Sequence, residues 1–278
     1  MSKGHRPSGR QPFKWMHSIH HWISAVWKVV ATVLHIISGV LTVVFVFPKL
    51  PPLQQEERIQ YWAQDLLAKM GVQWVVHGKP PEQCPMLLVS NHITWLDIIV
   101  LLATTRCQFV SKSDVRRWPL IGTLADRAGT LFVERASRRD AMRVVHKMVE
   151  RLRLGHVLAL FPEGTTSNGI SVLPFHANLF QAAISANIPV LPAAISFLDV
   201  ACGQRSQAPC YTQDDTLYGS IWRTLNAPPL CAVLTFGDLQ WAQGRDRRAW
   251  ALDLQMAVKE LLGYLPSKPV VPPKDVRR

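Results

Sequence analysis

Met86-Leu87-Leu88-Val89 runs through Ser90-Asn91-His92-Ile93-Thr94-Trp95 into Leu96-Asp97-Ile98-Ile99-Val100-Leu101-Leu102. The first four residues have the length and composition of a buried strand, and Leu96 opens a helix-length apolar stretch. His92 therefore falls at a strand-to-helix junction. Inside one regular helix, five steps of about 100° would leave His92 and Asp97 roughly 140° apart, on different faces. A direct hydrogen bond between them requires His92 in the loop and Asp97 in the first helical turns. Asp97 then accepts a proton from one imidazole nitrogen and leaves the other as an acceptor for a substrate hydroxyl, the arrangement of a general base. The competing reading is a histidine capping the helix, with Asp97 in the first turn stabilised by the helix dipole.

A second polar island, Phe161-Pro162-Glu163-Gly164-Thr165, follows another core-strand run, Val157-Leu158-Ala159-Leu160-Phe161. Pro162 stops the strand and Gly164 permits a turn, so Glu163 and Thr165 emerge at the strand's end. In an open α/β sheet such an end is where ligands bind. Taken alone, the same four residues are an ordinary turn.

Around these islands strand and helix patterns alternate. Strands are predicted over Val72 to Val76, Met86 to Val89, Cys107 to Val110, Thr130 to Val133, Val157 to Phe161, Val190 to Phe197 and Ala232 to Phe236. Helices are predicted over Glu56 to Met70, ended by Gly71, over Ser137 to Leu154, and over Arg247 to Leu262. This alternation predicts a single α/β domain over residues 53–265, preceded by a basic, membrane-anchoring segment (1–52) and followed by a flexible Pro-rich basic tail (266–278).

The two islands resemble the signature blocks of the glycerolipid acyltransferases, in the family's order. Gly129-Thr130-Leu131-Phe132-Val133-Glu134-Arg135 is similar to the second block, and Ile188-Pro189-Val190-Leu191-Pro192-Ala193-Ala194-Ile195 to the fourth. The likeness covers roughly residues 70–240. It implies a mixed-sheet domain with helices on its faces that moves a fatty acyl group from a thioester, acyl-CoA or acyl-carrier protein, to the free hydroxyl of a lysophospholipid. By this resemblance His92 and Asp97 are catalytic, and Arg135, Glu163, Gly164 and Thr165 bind substrate. Asn91, Lys112 and His176 are further candidate contacts. Arg135 suits a phosphate because its planar fork binds two oxygens at once. The resemblance also has Glu163 order the site and contact acceptor hydroxyls, and the Gly164-Thr165 amides are candidates for stabilising a tetrahedral oxyanion or the acceptor.

The acceptor implied first is 1-acyl-glycerol-3-phosphate, which yields phosphatidic acid. Two departures bear on it. Family members often carry arginine after Glu-Gly-Thr, where this chain has Thr166, and lysine after the downstream Pro-Phe, where it has His176. A phosphate-free acceptor, lyso-ornithine lipid, is the competitor. More remote are a hydrolase in which His92 activates water, and a non-catalytic membrane-binding module.

The formal charge is +12, and it is uneven. Residues 1–28 hold Lys3, Arg6, Arg10, Lys14 and Lys28 with no acid, and Arg106 to Arg153 carry twelve Lys/Arg against five Asp/Glu. Such clusters fit an anionic surface, membrane or nucleic acid. Zinc-finger spacing and RNA-binding aromatic motifs are absent, whereas Val29 to Phe47 is an uncharged stretch that would span about 28 Å as a helix. An anionic membrane surface is the partner, and no nucleic acid is expected.

A single crossing with the basic N-terminus inside would place the catalytic domain away from its thioester donors. The expected anchor is therefore a helical hairpin in one leaflet, with Trp15 to Ile23 as an interfacial helix and a bend near Ser38 and Gly39. His17, His20 and His21 read as interfacial polar residues or, alternatively, as a metal site. The five cysteines show neither a disulfide framework nor zinc spacing, and no nucleotide motif is present, so no cofactor or metal is implied. A bacterial inner membrane, with the catalytic domain facing the cytoplasm, suits this chemistry.

Overall fold

The computed structural model describes residues 13–80, 84–133, 138–212 and 214–263. Seven strands form one mixed sheet in the order β1-β7-β6-β2-β5-β3-β4. They are β1 (Val72–His77), β2 (Met86–Ser90), β3 (Gln108–Lys112), β4 (Leu131–Val133), β5 (Val157–Leu160), β6 (Val190–Asp199) and β7 (Leu230–Phe236). All seven predicted strands are present, with ends shifted by one or two residues. Strands β2 to β6 run parallel to one another, while β7 is antiparallel to β6 and β1 parallel to β7. The C-terminal ends of β2, β5 and β6 thus share an edge with the starts of β1 and β7.

Both faces of the sheet are covered, which is why β2, β5 and β7 are buried along their whole length rather than at alternate residues. On one face lie α2 (Pro52–Met70), α3 (Leu96–Thr104) and α7 (Leu217–Leu225), around a core that includes Leu67, Leu88, Leu101, Ile195 and Leu225. On the other lie α5 (Arg138–Arg153), α6 (Gln181–Ala186) and α8 (Arg247–Gly263), around Leu87, Met148, Leu158, Phe180 and Trp250. A short α4 (Ile121–Arg127) precedes β4. Helix α2 starts four residues before its predicted Glu56, because Pro52 occupies the first helical position, where its missing N–H costs nothing. It ends as predicted at Gly71, whose φ of 74° closes the C-cap.

The N-terminal segment departs from the expected hairpin within residues 1–52. It is one continuous helix, α1 (Phe13–Phe45), and the turn falls later, at Phe47–Lys49. The antiparallel partner of α1 is α2. Of the two residues where the bend was expected, Gly39 faces that partner, whereas the exposed Ser38 donates to His35 O within α1 at 2.8 Å. His35 Nε2 donates to Trp62 O at 3.0 Å, Trp62 Nε1 donates to His35 O at 3.2 Å, and the two rings stack. Gly39 is needed at this crossing, since a Cβ there would sit 2.5 Å from Trp62 Nε1. The outer face of α1 is apolar, with Val30, Val33, Leu34, Ile37, Leu41 and Phe45 exposed. Ser24–Lys49 is long and apolar enough to cross a membrane. The side chains of His17, His20 and His21 and the tail beyond Gly263 lie outside the described residues.

Candidate active site

The loop after β2 and the loop after β5 are neighbours because their strands pair in parallel, with Val89 opposite Leu160. The first loop carries His92 and the second Glu163. His92 sits in the loop and Asp97 in the first turn of α3, as the spacing requires. His92 Nδ1 lies 2.8 Å from Asp97 Oδ2. The same oxygen accepts the backbone N–H of Ile93 at 2.7 Å and of Thr94 at 2.9 Å. Asp97 is fully buried, whereas 17% of the His92 side chain reaches solvent. A carboxylate that already holds two amides can take only a donor from the imidazole, so Nδ1 carries the proton and Nε2 is the free acceptor. Asp97 thereby shapes the loop and orients the base together. Its other oxygen, Oδ1, is buried without a hydrogen-bond partner.

The peptide of His92 is held from both sides. Its N–H donates to Glu163 Oε1 at 2.8 Å, and its carbonyl accepts from Ser167 N at 2.8 Å and from Ser167 Oγ at 3.2 Å. The second oxygen of Glu163 accepts from Leu173 N at 3.0 Å. Glu163 is 4% exposed. Burial pushes its carboxyl up to about 7, against the pull of the Leu173 and His92 amides, and the nearby Asp97 charge adds to the rise. Each Glu163 oxygen thus holds one backbone amide, which ties the His92 loop to the 163–173 segment, as the expected ordering role requires. Below the imidazole, the Phe161 ring stacks at 3.9 Å between centroids.

Gly164 adopts φ 72°, which its lack of a Cβ allows, and its N–H donates to Phe161 O at 3.1 Å. That amide closes the turn instead of facing an oxyanion, which leaves Thr165 as the candidate of the pair. Asn91 is fully buried, and its side chain pairs with both backbone groups of Ile195, Oδ1 accepting at 2.8 Å and Nδ2 donating at 3.0 Å. It ties the His92 loop to β6. Lys112 is exposed at the end of β3, on the catalytic edge. His176 is exposed, and its backbone N–H donates to Pro162 O at 2.8 Å, beside the Glu163 turn. Arg135 follows β4 in the sequence and lies outside the described residues.

Residues absent from the sequence reading of the site include Ser167, Leu173 and Ser220, whose hydroxyl accepts from Trp95 Nε1 at 3.2 Å. Ser167 lies two residues beyond Glu-Gly-Thr, within reach of a closer reading of that island. Leu173 and Ser220 carry no local signal. Among the described residues no group of three or more His, Cys, Asp or Glu side chains could hold a metal ion.

A histidine held by a buried carboxylate, its peptide N–H bonded to the glutamate of the turn after the neighbouring parallel strand, is equipped to take a proton from a hydroxyl. Residues 73–196 match the Acyltransferase family model. The lyso-ornithine lipid O-acyltransferase of Pseudomonas aeruginosa is 38% identical over 208 residues, 75% of this chain and 79% of that protein. The chain belongs to the acyltransferase family. The 1-acyl-sn-glycerol-3-phosphate acyltransferase of Neisseria gonorrhoeae is 36% identical over 161 residues, 57% of this chain, and the match spans only 62% of that relative. The crystal structure of the 1-acyl-sn-glycerophosphate acyltransferase of Thermotoga maritima superimposes with a TM-score of 0.71 at 18% identity, covering 91% of this chain and 99% of that one. At that identity the likeness speaks for the fold.

Proposed function

We propose that this acyltransferase moves a fatty acyl group from acyl-CoA or acyl-carrier protein to the free hydroxyl of a lysolipid, with lyso-ornithine lipid as the acceptor. The observation that carries the reaction is the His92–Asp97 pair, with Nε2 left as the only unprotonated imidazole nitrogen. Nε2 takes the proton of the acceptor hydroxyl as its oxygen attacks the thioester carbonyl. Asp97 balances the imidazolium that forms. The tetrahedral intermediate collapses, the C–S bond breaks, and the thiolate leaves with the proton returned by His92. The site offers no serine or cysteine hydrogen-bonded to the imidazole, so direct transfer without an acyl-enzyme fits it best.

The phosphate-free acceptor is favoured by Thr166 and His176, which stand where two cations would meet a phosphate, and by the breadth of similarity to the Pseudomonas relative. 1-Acyl-glycerol-3-phosphate is the second reading, supported by the Neisseria relative and by Arg135. We place the chain at a bacterial inner membrane through α1, with the catalytic domain on the cytoplasmic side where thioester donors are made. Detergent-purified protein offered both acceptors with an acyl thioester, and His92→Ala as the blank, tests the assignment. Transfer to the ornithine lipid alone is expected. Transfer to the phosphate-bearing lipid alone would reverse the choice of acceptor, and thioester consumption without acylated lipid would make the protein a hydrolase.

A further inference from the structure

Helix α7 lies on the same face of the sheet as α2 and α3, and it packs against α1. Its inner side is fixed by Ser220, Thr224 and Leu225, all buried. Its outer side presents Tyr218, 85% exposed, and Trp222, 40% exposed, one helical turn apart. Side chains four residues apart on a helix are neighbours, so the two aromatics form one exposed patch. Both carry a polar tip on an apolar ring, the chemistry enriched where hydrocarbon meets headgroups. Helix α1, which packs against this helix, exposes a row of apolar side chains of its own, with Trp27 at 71% exposure.

Helix α7 is also tied to the catalytic loop. Ser220 accepts from Trp95 Nε1, three residues beyond His92. Arg223 donates to Ala208 O at 3.0 Å, to Cys210 O, and to both oxygens of Asp215. It thereby clamps the 208–215 loop, from which Tyr211 N donates to Ile93 O at 3.0 Å. The exposed aromatics thus sit on a support bonded to the catalytic motif at two points.

We propose that Tyr218 and Trp222 form a second membrane-seating surface, beside α1, that inserts into the headgroup zone and sets the catalytic edge against the bilayer. This rests on the reading of α1 as a membrane anchor. Lipid is the occupant because α7 packs against α1, whose exposed side chains are apolar over a length that could cross a membrane. The other exposed apolar pair on a helix, Leu252 and Met256 of α8, lies on the opposite side of the sheet from α1.

The test uses the full chain in vesicles of phosphatidylethanolamine and phosphatidylglycerol, part of the lipid carrying bromine on its acyl chains. The emission lost in Trp222→Phe isolates Trp222, and that lost in Trp27→Phe isolates Trp27. Both differences are expected to be quenched by brominated lipid. Quenching of the Trp27 difference alone would leave α1 in the bilayer and overturn the role of α7. Quenching of neither would remove the membrane reading and this proposal with it. In activity, Tyr218→Ser/Trp222→Ser is expected to raise KM for acceptor presented in vesicles by at least about fivefold, the scale of losing an interfacial aromatic contact. Turnover of a short-chain acceptor below its micelle concentration should not change. An equal loss on both acceptors would mean that the substitutions act through Ser220 and Trp95 rather than through lipid, and would overturn the proposal.

Discussion

The imidazole of His92 lies flat on the ring of Phe161, centroids 3.9 Å apart and planes within 4° of parallel. Asp97 fixes the imidazole within its plane, and Phe161 fixes the plane itself, so Nε2 has one direction left. The face of an aromatic ring also favours the cation formed when His92 takes a proton. Phe161→Leu, which keeps the strand end apolar, is expected to lower kcat about tenfold, equivalent to roughly 1.4 kcal/mol, with KM little changed. A rise in KM at constant kcat would show that Phe161 serves substrate binding instead.

His92→Ala should reduce turnover by at least about 10²-fold while the fold survives, the usual scale of a lost general base. Asp97→Asn is expected to cost as much, because a carboxamide can offer its N–H to Nδ1 and trap the wrong tautomer. Near-normal steady-state rates in either variant would remove the base assignment, provided circular dichroism shows a folded chain.

Asn91 makes a contrasting prediction. Asn91→Ala strips the partners from both backbone groups of the buried Ile195, so the expected effect is a loss of roughly 2–4 kcal/mol in stability. Denaturant unfolding measures it. A variant of unchanged stability with a raised KM would make Asn91 a substrate contact.

Glu163 ties stability to pH. Its pKa in the folded chain, about 7, lies above the ordinary 4.5, so folding favours the protonated form. The contribution of this group is therefore complete below pH 4.5 and lost as the pH rises through 7. Glu163→Gln lacks this titration. Thermal melts from about pH 5 to about pH 8 should show the wild type losing Tm relative to the variant, and a constant gap would contradict the assignment.

The order of the seven strands in the chain, and the partnership of His92 with Asp97, were legible because both rest on local pattern: apolar runs, Pro162, Gly164, and a five-residue spacing that excludes a shared helical face. What was not legible depends on residues far apart in the chain. Asn91 meets Ile195, His92 meets Glu163, and Glu163 meets Leu173, through pairings set by the strand order. That Glu163 orders the site was open to reading, but nothing in the sequence reveals that its oxygens do so through the amides of His92 and Leu173. The bend expected in α1 failed for a related reason. His35 is satisfied by Trp62 of α2, a partner that the periodicity of α1 alone does not disclose, and Ser38 and Thr42 by carbonyls of α1 itself.

The pairing of β1 with β7 bears on how the molecule comes into being. Val72 lies opposite Leu230, so the strand that follows the α1–α2 pair has no sheet neighbour until nearly the whole chain exists. Contacts of such long sequence separation form late and slowly. During synthesis α1 emerges well before the sheet can close, which gives it time to reach a bilayer while the catalytic domain is still unfinished. Chains cut before β7 should accordingly keep α1 but leave β1 open to protease.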